Sequence, residues 1–74
     1  MAGLRHVVLL TLDDGCDVDA LLAALGDLPA QIPALRGYVV GRDAGISEGN
    51  ATVAVVADLD DEAGFVAYRD HPAH

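Results

Sequence analysis

The sequence predicts an α+β fold in the order β-α-β-β-α, a ferredoxin-like split βαβ unit whose fourth strand is missing. Three observations carry that expectation. Three β-rich apolar segments are separated by turn-forming residues. Apolar residues recur at helical spacing after the first segment. A short glycine-bearing loop joins the second and third segments as in a hairpin.

The first segment, Leu4 to Leu12 (LRHVVLLTL), is bounded by Asp13-Asp14-Gly15. Leu4, His6, Val8, Leu10 and Leu12 line one face, and Arg5, Val7, Leu9 and Thr11 the other, so both faces are apolar enough to be covered. Asp17 is placed to cap the helix that follows, and Asp19 suits its first turn. Val18, Leu21, Leu22, Leu25 and Leu28 then form one stripe. Gly26, Pro29 and Pro33 end this helix by about Leu28 and leave a turn-like link.

Leu35 to Arg42 (LRGYVVGR) is the second strand, with Gly37 and Gly41 allowing a bend. Asp43 to Asn50 is a loop, and Ala51 to Leu59 (ATVAVVADL) the third strand. Asp60 or Asp61 caps a final helix to about Asp70, where Pro72 stops it. Phe65 and Tyr68, three residues apart, share a face of that helix.

Size and charge narrow the functions. A chain of 74 residues forms one domain spanning 1–74 and buries only roughly 60% of its unfolded surface. Its one cysteine, Cys16, can form no internal disulfide, which points to a reducing, cytoplasmic setting and to self-association as the source of added stability. Twelve carboxylates face four arginines and no lysine, a net charge of −8 that repels phosphate backbones and anionic membranes. The start has no leader-like cleavage site, and no apolar run is long enough to span a bilayer.

Several chemical motifs fall away. The glycines at 37, 41, 45 and 49 lack the spacing and lysine of a phosphate loop. The aspartate clusters at 13–19 and 58–62 lack the ligand order of a calcium loop and sit where helix N-termini favour negative charge. Acidic neighbours disfavour a reactive thiolate at Cys16. The histidines stay open to more than one reading. His6 interrupts an apolar row, as a hydrogen-bonded core histidine would. His71 and His74 fit a solvated helix end, a metal clip without a clear third ligand, or the base of a pocket. If the chain folds back at Pro72, His74 can approach Tyr68, whose hydroxyl could orient it.

Arg5-His6-Val7-Val8-Leu9, Ile32-Pro33-Ala34-Leu35-Arg36, Gly41-Arg42-Asp43 and above all Tyr68-Arg69-Asp70-His71-Pro72-Ala73-His74 occur in the order found in stress-responsive A/B barrel (Dabb) domains. The chain resembles that group of the dimeric α/β-barrel family along nearly its whole length. The resemblance implies a homodimer that pairs through its sheets, each protomer keeping an apolar small-molecule pocket under its helices. It also implies a fourth strand after His74, so that this chain is read as C-terminally shortened. By similarity to the family's plant polyketide cyclase, His74 would be a general base, Tyr68 would hold that histidine or a carbonyl oxygen, and His6 would position the substrate. Val8, Leu10, Leu21, Leu22, Leu25 and Val55 would be apolar walls. The implied chemistry is a cofactor-free aldol-type cyclisation. The first expectation is a dimeric binding protein with no set reaction, and the cyclase is the alternative.

Overall fold

The computed structural model describes residues 3–74. Three strands, β1 (Leu4–Leu10), β2 (Gly37–Arg42) and β3 (Val53–Leu59), form an antiparallel sheet in the order β1-β3-β2. Three helices, α1 (Val18–Gly26), α2 (Leu28–Gln31) and α3 (Glu62–Asp70), complete the α+β ferredoxin-like arrangement.

β3 is central and follows the alternation expected of a half-covered strand. Val53, Val55, Ala57 and Leu59 are buried, while Ala54, Val56 and Asp58 face the other way and are only partly so. Pairing fixes what shares each face. Leu4, His6, Val8 and Leu10 of β1 lie opposite Leu59, Ala57, Val55 and Val53. Tyr38 and Val40 of β2 lie opposite Ala57 and Val55 from the other side. This face carries the core, in which Leu28, Ile32, Ala57, Leu59 and Tyr68 pack together.

β1 ends two residues before the sequence predicts. The ladder stops at the Leu10–Val53 pair, after which the Leu12 N–H donates to the Thr52 hydroxyl at 3.0 Å. β2 starts at Gly37 rather than Leu35, because Arg36 is drawn into a corner. Its guanidinium donates to the Pro33 carbonyl at 2.7 Å and to Asp60 at 3.0 Å.

The link after α1 is a further correction. The expected turn is a one-turn helix, α2, which restarts after Asp27 with Pro29 in its first turn, where the missing N–H has no bond to lose. The stub serves packing: it buries Leu28 to 7% exposure and delivers Ile32, at 1%, into the core. Both long helices are capped by aspartate. Asp17 accepts from the Ala20 N–H at 3.0 Å, and Asp61 accepts from the Gly64 N–H at 2.8 Å.

The loop after β2 closes on Asp43, whose carboxylate accepts from the Gly45 N–H at 3.0 Å and from the Asn50 amide at 3.1 Å. Gly45 and Gly49 take φ of 76° and 85°, which glycine adopts without strain.

All four arginines lie against aspartates: Arg5 with Asp58, Arg36 with Asp60, Arg42 with Asp19 and Arg69 with Asp70. The Arg5–Asp58 pair is two-pronged, at 2.7 and 3.1 Å, on the face of the sheet away from the helices. Gly37 opposes Asp58 in register, and a Cβ there would stand 2.8 Å from the carboxylate oxygen and 3.3 Å from the Asp58 Cβ. Hydrogen bonding to Arg5 holds the Asp58 pKa below its ordinary value. The stability this adds is present above the unfolded carboxylate pKa of about 3.9 and fades as pH falls through the lower folded value. Gly37→Ala is therefore expected to turn Asp58 aside and raise its pKa towards the ordinary value. Carboxyl-carbon NMR titration checks this, and an unmoved Asp58 would show that the ion pair does not need the space at Gly37.

Candidate functional site

A row of three residues crosses the sheet beneath α3: His6 on β1, Ala57 on β3 and Tyr38 on β2. Ala57 is fully buried and small, so the row has a low floor at its centre. Tyr68 is set above this row, buried to 3% exposure. It projects from the sheet-facing side of α3 together with Phe65, their ring centroids 6.4 Å apart, as three-residue spacing requires. The His6 ring packs 5.0 Å from Phe65 and 6.3 Å from Tyr68.

His74 reaches the same place by a local turn. α3 stops at Asp70 and His71 turns extended, as a residue before proline prefers. The His71 N–H donates to the Tyr68 carbonyl at 3.3 Å, and the His74 N–H donates to the His71 carbonyl at 2.9 Å. The turn is tied by the His71 imidazole, whose Nδ1 accepts from the Ala73 N–H at 3.0 Å. His71 thus has a local structural partner. The fold-back carries the His74 ring to 4.6 Å from the Tyr68 ring, edge-on, while His74 itself stays exposed.

Of the apolar residues singled out from the sequence, Leu25 packs against the core cluster that holds Tyr68. Val8 and Val55 are cross-strand partners on the helix-covered face, with Leu10 beside them. Val55 is 4% exposed, whereas Leu21, Leu22 and Leu25 of α1 are half-buried. A hollow of about 430 Å³ lies on the opposite face of the sheet, lined by Leu9, Val39, Ala54 and Val56 and rimmed by Arg42 and Asn50. None of Val8, Leu10, Leu21, Leu22, Leu25 or Val55 contributes to it.

Tyr38 is the residue that sequence reasoning missed. Its hydroxyl is buried and has no hydrogen-bond partner. Burial, then the nearby Tyr68, push its pKa up to about 12. Burial also raises the Tyr68 pKa, partly offset by the Tyr38 hydroxyl. Both phenols are therefore neutral donors at ordinary pH. The sign of the alkaline effect follows. A pKa raised from 10.0 to about 12 favours the protonated fold, so this contribution is complete below pH 10 and is lost as pH climbs towards 12. The unfolding midpoint in urea is expected to fall across that window, and Tyr38→Phe is expected to flatten the decline. An equal slope in that variant would assign the decline to other groups.

Among the described residues, no group of three or more His, Cys, Asp or Glu side chains is placed to hold a metal ion. No helix of the described residues is long and apolar enough to cross a membrane.

The sequence model of the stress responsive A/B barrel domain family, Dabb, matches residues 4–74. No curated protein matches the chain. Among solved structures, the chain is similar to a protein of Thermobifida fusca YX described as dimeric, ferredoxin-like and of unknown function. The two are 48% identical with a TM-score of 0.86, over 97% of this chain and 71% of that one. It is also similar to a dimeric protein of unknown function and ferredoxin-like fold from Bacteroides fragilis NCTC 9343. There the identity is 25% and the TM-score 0.70, over 95% of this chain and 74% of that one. A dimeric ferredoxin-like protein of unknown function from Jannaschia sp. CCS1, 23% identical with a TM-score of 0.78 over 99% of this chain and 76% of that one, shares the fold.

Proposed function

Because the chain belongs to the stress responsive A/B barrel domain family, we propose that it is a homodimer that binds an apolar small molecule on the helix-covered side of each sheet. The observation that carries this reading is the sheet's second face. Val7 and Leu9 on β1 and Val39 on β2 stand there 57%, 67% and 67% exposed, flanking the half-buried Val56 of the central strand β3. Contiguous apolar surface of this kind marks an interaction site. The molecule measures 37 × 25 × 15 Å, and its broad face is of the order of the ~800 Å² per partner that a standard interface covers. The similar protein from Thermobifida fusca, described as dimeric, supports a second copy as the occupant. The free and exposed Cys16 fits a reducing, cytoplasmic setting.

On this reading the second face is taken by the partner, and ligand enters over the first. Val8, Leu10, Leu21, Leu22, Leu25 and Val55 supply apolar walls, with Tyr68, His6 and His74 as the polar groups that orient the ligand. A second reading is favoured by one observation, the 4.6 Å approach of the Tyr68 and His74 rings. His74 would take a proton from a carbon next to a carbonyl while the Tyr68 hydroxyl donates to the carbonyl oxygen, giving cofactor-free aldol-type cyclisation of a poly-ketone.

Titrating the isotopically labelled chain with a medium-chain alkyl β-diketone tests the site. Amide shifts are expected around Val8, Leu22, Val55 and Tyr68. Shifts confined to Leu9, Val39 and Val56, or no shifts at all, would overturn the assignment of the ligand to the helix-covered side. Turnover of a poly-ketone that vanishes in His74→Ala while binding persists would favour the second reading.

A further inference from the structure

The open face of the sheet is a grid of three cross-strand rows. Arg5, Asp58 and Gly37 form the first, Val7, Val56 and Val39 the second, and Leu9, Ala54 and Gly41 the third. The third row drops from Leu9 to Ala54 and Gly41, and this step opens the hollow of about 430 Å³ that Leu9 and Val39 wall. Gly41 has no explanation within the protomer. Its φ is not left-handed, and a Cβ added there would meet nothing within 4 Å, whereas one at Gly37 would strike Asp58. A glycine weakens a strand and often marks the close approach of another group, so this gap calls for an occupant from outside the chain. Leu9, 67% exposed on the far side of β3, is the matching excess of apolar surface.

We propose that the occupant is a second copy of this chain: Leu9 of one protomer fills the hollow over Gly41 and Ala54 of its partner, and the partner's Leu9 does the same in return. This rests on the reading of the open face as the dimer contact, and it fixes which rows meet. In aligned packing, two sheets lie face to face about 10 Å apart with their strands in roughly one direction. The twofold axis between them then runs either along β3 or across the strands. Along β3, every row meets its own copy, with β1 of each protomer over β2 of the other. Leu9 then stands over Gly41, Val7 over Val39 and Val56 over Val56, and each contact is made twice, as a symmetric pair requires. The two Arg5–Asp58 pairs gather at one end of the contact, where Gly37 leaves space for the facing guanidinium. With the axis across the strands, the third row would instead meet the first. Each hollow would close over an Arg5–Asp58 pair and strip it of water, a cost that apolar contact does not carry. The register with Leu9 over Gly41 is therefore the favoured one.

Exchanging the two sizes tests this register. Gly41→Val suits a strand and meets no atom of its own protomer, so the fold is expected to stand. The dimer Kd is expected to rise by about 100-fold, because symmetry applies the overpacking twice. Leu9→Ala, which empties the hollow, is expected to weaken pairing to a similar degree. Leu9→Ala and Gly41→Val together are expected to recover at least about tenfold of the summed loss, since both act on one contact. Sedimentation reads all three. A mixed dimer of isotope-labelled and unlabelled wild-type chains shows the contact without any substitution, and so decides the matter if a variant fails to fold. Leu9 and Gly41 of one protomer lie about 10 Å apart across β3, so a filtered NOE from the Leu9 methyls to the Gly41 Hα arises only between chains. A dimer indifferent to Gly41→Val, strict additivity, or filtered NOEs from Leu9 to Arg5 or to Leu9 itself would overturn the register and leave the dimer reading standing. A monomeric wild type would overturn both, and shifts at Leu9, Val39 and Val56 with the β-diketone probe would then assign the hollow to a small ligand.

Discussion

Ile32→Ala is expected to lower the free energy of unfolding by about 2–5 kcal/mol. Ile32 is 1% exposed and packs with Leu28, Ala57, Leu59 and Tyr68. It sits at the end of α2, where its N–H donates to the Leu28 carbonyl at 2.9 Å, so the backbone holds it in place. That rigidity limits collapse around the cavity alanine would leave, and the loss belongs near the upper part of the range. Folded domains are stable by only about 5–15 kcal/mol, and small ones fall near the low end, so this change would unfold much of the population. Urea denaturation followed by circular dichroism measures it. Ile32→Val, losing one methyl group, is expected to cost about 0.5–1.5 kcal/mol and to remain folded. A cost below about 1 kcal/mol for alanine would mean that α2 relaxes into the gap and is not the clamp its burial implies.

Val39→Asp is expected to weaken self-association by at least about 100-fold while leaving the protomer fold intact. Val39 lies opposite Val56 in register and is 67% exposed in the protomer, so an aspartate there stays hydrated in the single chain. In a symmetric pair that uses this face, two unpaired carboxylates would enter the apolar contact together, and desolvating each costs several kcal/mol. At about 1.4 kcal/mol per tenfold change, the effect is easily seen in sedimentation. The expected species is the 7.6 kDa monomer with an unchanged circular dichroism spectrum. Retention of the dimer would remove the open face from the interface. Loss of secondary structure at 39 alone would show that the protomer needs its twin to fold, and Leu9→Asp on β1, across β3 from Val39, then provides the comparison.

Much of this architecture is legible in the amino-acid order because it is local. The β-rich apolar runs at Leu4–Leu10 and Val53–Leu59, and the helical recurrence of Val18, Leu21, Leu22 and Leu25, identify their elements without reference to the rest of the chain. So do the capping aspartates Asp17 and Asp61. α2 escapes such reading, since two prolines within five residues look like a break. Only the demand for Leu28 and Ile32 in the core makes the short helix worth forming. The fold-back at Pro72 is readable for the same local reason as the caps, and the contact of the Tyr68 and His74 rings follows from it. Tyr38 could not be found that way. Its place beside Tyr68 depends on the register of β2 against β3, which is set across a ten-residue connection from Asp43 to Thr52 rather than by any neighbour in sequence. Arg5 and Asp58 are paired by the same kind of distant alignment.

The commitment of each arginine to an aspartate leaves eight acidic side chains with no basic counterpart, matching the net charge of −8. Two such molecules approaching one another therefore meet mutual repulsion with no unpaired arginine or lysine side chain to relieve it. Dissolved electrolyte shortens the range of that repulsion to about 8 Å at physiological strength. Pairing of this protein should accordingly tighten as salt is added, the reverse of what a complex held by opposite charges would do.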